Sequence, residues 1–93
     1  KTIIFVTPYS SYYVHSSDIS NEATGLNLKG YRDAILKRCE YYGVPVLDLY
    51  SMGGIDAAHN AWSRTAYTSD GLHANDTGHE LIANRLAGLI RSL

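Results

Sequence analysis

Apolar residues are spaced differently in successive stretches of this chain, and each spacing predicts an element. The opening run KTIIFVT, residues 1–7, is a nearly unbroken series of β-branched and aromatic side chains. It predicts a strand covered on both faces, because a strand with one wet face alternates apolar and polar positions. Pro8 ends it, and residues 8–26 are rich in Ser, Tyr, Asn and Thr without periodicity, which reads as a long loop. From Asn27 to Tyr42 the residues Leu28, Tyr31, Ile35, Cys39 and Tyr42 recur at steps of three and four, one face of a helix. Gly43 fits the position just past its C-terminus, and Pro45 prevents continuation.

The segment VPVLDLY, residues 44–50, then reads as a second strand, with Asp48 its one charge. Strand, helix and strand in this order make a βαβ unit, which predicts parallel pairing and a right-handed crossover. Residues 51–68 look irregular, with one short helical turn expected around Ile55 to Asn60. The last helix carries a stripe of Leu81, Ile82, Leu86, Leu89, Ile90 and Leu93. Either Asn75 starts it, or Thr77 with Glu80 as a capping box. Two parallel strands and two helices cannot bury both faces of a sheet, and both sheet edges stay open. A further segment or partner is therefore expected to complete the sheet, and the start at Lys1, two residues before the strand-like run, fits a piece of something longer.

Composition narrows the classes. Net charge is −1, with 8 basic and 9 acidic side chains spread along the chain, so no basic stripe favours nucleic acid. The single Cys39 excludes an internal disulfide framework and a Cys-based zinc cage; it fits the cytosol and a disulfide-free secreted protein equally. The longest apolar run, Ile3 to Val6, is far too short to span a bilayer.

The candidate chemistry lies in SDGLHANDTGHE, residues 69–80, where Asp70 precedes His73 by three positions. A serine hydroxyl needs a base near neutral pH, and imidazole is the usual one. The imidazole needs a carboxylate on its other nitrogen, to fix the tautomer and stabilise the imidazolium. At this spacing a tight turn must fold the pair together, and Gly71 supplies the freedom for one. Amides at the start of the following helix oppose a positive charge on His73 at rest. The competing reading is that Asp70 and His73 simply satisfy a turn.

The segment SDGLHANDTGHELIANRLAGLI resembles the last block of the SGNH hydrolases, the GDSL-type esterase and acylhydrolase family, usually D-G-x-H-P-N-x-x-G. Asp70, Gly71, His73, Asn75 and Gly78 carry the resemblance, and TIIFVTPY and YGVPVLDLY look like late strands of the same fold. Ala74 stands where proline is usual. The resemblance implies that residues 1–93 are the C-terminal segment of a single flavodoxin-like, three-layer α/β/α domain. It also implies ester hydrolysis by a Ser-His-Asp triad, with His73 as general base and Asp70 orienting it. Neither the family's Gly-Asp-Ser nor its Gly-x-Asn-Asp is present, so the serine and the oxyanion donors are expected from a missing N-terminal segment or partner chain. The chain alone is then inactive. No cofactor is implied, and glycan, lipid and small-molecule esters all remain open as substrates. The alternative class is a non-catalytic carbohydrate-binding or assembly module on the same scaffold.

Other residues carry less. Ser10, Ser11, Ser16 and Ser17 follow the first strand but lack a G-x-S-x-G elbow. Tyr9, Tyr12, Tyr13 and Trp62 either line a substrate pocket or pack. His15, His59 and His79, with Asp18 or Asp56, lack any metal-ligand spacing, so no metal is expected. His79 reads as a surface or capping side chain, Asp48 as a hydrogen-bonded structural carboxylate, and Cys39 as core.

Overall fold

The computed structural model describes residues 2–12 and 24–93. Among the described residues it is a mixed α/β arrangement of two short parallel strands and four helices. Strand β1 (Phe5–Val6) pairs with β2 (Val46–Leu47) in the register Phe5 with Val46 and Val6 with Leu47. Between them runs α1 (Leu28–Tyr42). Asn27 caps α1 by accepting from the Gly30 amide at 2.8 Å, and Gly43 ends it at φ 64, its amide turned back to Cys39 and Glu40 carbonyls. Both ends are local chemistry, which is why the expected bounds hold. Cys39 is buried, as its helical face predicts.

The strands are shorter than their apolar runs. β2 stops at Leu47 because Asp48 is not a strand residue but the N-cap of α2 (Leu49–Met52), accepting from the Ser51 amide. Its carboxylate also accepts from the Thr7 hydroxyl at 3.0 Å and from Arg32 at 3.3 Å. Thr7, 1% exposed, in turn accepts from the Tyr50 amide. One carboxylate thus joins the end of β1, helix α1 and the start of α2, a structural role as expected, with long-range partners. The helical turn expected at Ile55 to Asn60 is displaced. Those residues form a bridge and turn, and helix α3 (Ala61–Tyr67) follows, capped by Asn60 on the Ser63 amide.

Among the described residues the buried apolar core consists of Cys39, Leu49, Ile55 and Ala57. Strand β1 is not covered on both faces among the described residues. Ile3, Phe5 and Val6 are 64%, 50% and 42% exposed, a large departure for a run of this composition. Between β1 and α1 lies an apolar hollow of about 460 Å³, lined by Phe5, Tyr31, Ile35, Cys39, Tyr42 and Val44. Among the described residues no helix is long and apolar enough to cross a membrane.

Helix α4 (Asp76–Ser92) packs on α3 and reaches β2. Asn75 is its N-cap, accepting from the Gly78 amide at 2.9 Å, so Thr77 does not start it. Asn75 also donates its side-chain amide to Ala66 and its main-chain amide to Tyr67. It thereby joins the start of α4 to the end of α3. The approach is so close that a Cβ on Gly78 would lie 2.2 Å from the Tyr67 carbonyl oxygen. Gly88, on the same helix, has open space at that position. Gly78→Ala should therefore destabilise the full-length protein by about 1–3 kcal/mol. Gly88→Ala should stabilise it by about 0.5–1 kcal/mol through helix propensity. Urea titration of the two variants checks the contrast.

Candidate functional site: an aspartate–histidine turn

The turn between α3 and α4 is built around one carboxylate. Asp70 Oδ1 accepts from the Leu72 amide at 2.9 Å and from the His73 amide at 2.7 Å. Oδ2 lies 2.6 Å from His73 Nδ1. Three donors on one exposed side chain strongly favour the ionised form. The Asp70 pKa is lowered to about 2, first by the His73 amide, then by the His73 ring and the Leu72 amide. The three-residue spacing works because the chain reverses at Gly71, whose φ is +90. A Cβ there would also lie 2.8 Å from the Tyr12 Cβ, so the position needs glycine twice over. Below the turn, Thr68 and Ala74 bridge antiparallel, and Ser69 donates its amide to the His73 carbonyl at 3.0 Å.

The loop after β1 supports this turn from outside. The Tyr12 amide donates to the Gly71 carbonyl at 2.8 Å, and the Tyr9 hydroxyl donates to the Leu72 carbonyl. The Arg64 guanidinium stacks 3.7 Å from the Tyr12 ring centroid while donating to the Ala57 and Ala58 carbonyls. Tyr12, Arg64, Thr65, Ser69 and Asp70 line a cleft of about 440 Å³ beside the carboxylate.

Nδ1 of His73 faces Asp70, and the side chain is 73% exposed. That leaves Nε2 directed away from the carboxylate, the orientation a base requires. Among the described residues no side chain hydrogen-bonds to Nε2, so the structure brings together Asp70 and His73 and no nucleophile with them. Ser10 and Ser11 are buried at 3% and 4% exposure. Ser10 pairs in a parallel bridge with Asp56, and its hydroxyl has no partner among the described residues. Ser16, Ser17, Tyr13, His15 and Asp18 lie outside the described residues. His59 pairs with Asp56 at 3.2 Å, a second Asp-x-x-His spacing, and His79 is exposed in the first turn of α4. No three potential metal ligands converge among the described residues. Of the aromatic candidates, Tyr12 lines the cleft, Tyr9 supports the turn, and Trp62 is 70% exposed and contacts Tyr67 edge-on. The supporting role of Tyr9 has no local signal, since its partner lies 63 positions away.

No protein-family model matches the chain, and no curated protein does. Solved structures are similar to it. One crystal structure is 34% identical, with a TM-score of 0.84, over 99% of this chain and 43% of its own. A second, of a protein from Lactobacillus plantarum, is 29% identical with a TM-score of 0.83, over 98% of this chain and 44% of its own. The chain thus spans less than half the length of either.

The lowered Asp70 pKa has a defined sign. Ionised Asp70 contributes stability that is fully present above its unfolded value of about 4. That contribution is lost as the pH falls through about 2. Between those limits, stability should fall less steeply with acid in Asp70→Asn than in the parent, as urea titrations at stepped pH would measure.

Proposed function

We propose that this chain is the C-terminal part of an SGNH-type serine esterase, a flavodoxin-like α/β/α domain completed by residues beyond it. The observation that carries the reading is the 2.6 Å contact between His73 Nδ1 and Asp70 Oδ2, with Nε2 left outward. Two further features support it. Apolar side chains of β1 are exposed, and similar solved chains are more than twice as long. The remainder of the same domain is the partner that covers β1 and the hollow beside α1.

In this reading the serine and the oxyanion donors lie in that remainder. His73 Nε2 takes the serine proton as the oxygen attacks the ester carbonyl. Asp70 keeps Nδ1 protonated and offsets the charge on the resulting imidazolium. His73 then gives the proton to the leaving alcohol as the carbonyl–oxygen bond breaks. Water repeats the sequence to release the acid, His73 again acting first as base and then as acid. The protein's own groups supply every proton transfer, and no cofactor is called for.

The full-length protein should hydrolyse p-nitrophenyl acetate. His73→Ala should reduce kcat by a factor of about 10³ or more, and Asp70→Asn by about 10²–10⁴ through loss of the tautomer. A full-length protein that is folded but inert, or one indifferent to His73→Ala, contradicts the reading and favours a non-catalytic module on this scaffold.

A further inference from the structure

One peptide unit in the turn is held from both sides. Its carbonyl, that of Leu72, accepts from the Tyr9 hydroxyl. Its N–H, that of His73, donates to Asp70 Oδ1 at 2.7 Å. The hydroxyl, peptide and carboxylate therefore form one chain of hydrogen bonds, from Tyr9 through residues 72 and 73 to Asp70. Donation to a carbonyl oxygen polarises the amide and makes its N–H a stronger donor, so each bond in such a chain strengthens the next.

From this geometry we infer that Tyr9 is a positioning residue for the aspartate–histidine pair, acting through the Leu72–His73 peptide on the orientation and charge of Asp70. Its phenol bonds to the Leu72 carbonyl rather than to the His73 ring. It fixes the peptide from which the His73 side chain springs, and with it the angle at which Nδ1 meets Oδ2. Burial raises the Tyr9 pKa, with the Ala74 amide opposing and the Asp70 charge adding, so the hydroxyl retains the proton it donates. The Tyr12 amide secures the neighbouring Gly71 carbonyl in the same way, but every residue other than proline can supply that amide. The Tyr9 contact is specific to its hydroxyl. The other charged or titratable groups around Asp70 are His73 on its own turn, Tyr12 from the loop after β1, and Arg64 from α3.

The inference rests on the esterase reading for its catalytic meaning, but its test does not. In the full-length protein, Tyr9→Phe keeps the ring and removes only the donor. The Asp70 carboxyl, followed by carbon-detected NMR, should titrate above the parent's value of about 2. With p-nitrophenyl acetate, kcat should fall roughly three- to tenfold with KM unchanged, the range for one lost hydrogen bond. Thr7→Val is the control. It removes the buried hydroxyl that serves Asp48 and Tyr50, lowers stability, and should leave the Asp70 titration where it is. An Asp70 titration unmoved by Tyr9→Phe, or moved equally by Thr7→Val, overturns the inference whatever happens to kcat. If the full-length protein hydrolyses no ester, the esterase reading fails separately and the Asp70 titration alone decides the role of Tyr9.

Discussion

The candidate site depends on the carboxylate of Asp70 and the three hydrogen bonds it accepts within four residues. Two come from the main chain and shape the turn; the third comes from the His73 ring and orients it. One side chain therefore folds the loop and aligns the imidazole, so the short spacing between the two residues is a mechanical necessity. The same carboxylate stays ionised because its acceptor capacity is filled by donors, not because it is buried; it is an exposed group.

The residues around it follow from the same constraint. The reversal at Gly71 leaves its α-carbon against Tyr12, where no other side chain fits. After the turn the chain must enter α4 at once, and Asn75 caps that helix while tying it to the end of α3. Gly78 then has to be glycine because the helix lies on the Tyr67 carbonyl. Asp70, Gly71, His73, Asn75 and Gly78 thus each answer a separate steric or electrostatic demand of one tight connection. The pattern is one physical device rather than five independent preferences.

How much of this was legible beforehand depended on how far each contact reaches along the chain. The cap at Gly43, the helical face of Cys39 and the parallel pairing of the strands follow from local spacing, and they stand; of the two starts open for the last helix, the structure takes Asn75. Asp48 lies inside an apolar run that reads as strand, yet it caps a four-residue helix on the Ser51 amide; its further partners Thr7 and Arg32 lie 41 and 16 positions away, beyond any local signal. The same distance effect hides Tyr9, whose partner is 63 positions off. The apolar run of β1 implies coverage that the described residues do not supply, and Ile3, Phe5 and Val6 remain exposed. The mismatch is what the proposed remainder of the domain would resolve, by covering those side chains.

In the proposed function the base and its nucleophile are separated: His73 and Asp70 lie in residues 1–93, and the serine would lie in the rest of the domain. Labelling the full-length protein with a serine-directed fluorophosphonate, followed by peptide mass mapping, tests this most directly. The account predicts one modified serine outside residues 1–93, with the modification lost in His73→Ala. Modification at Ser10, Ser11 or any other serine of this chain, or labelling that persists without His73, would contradict it.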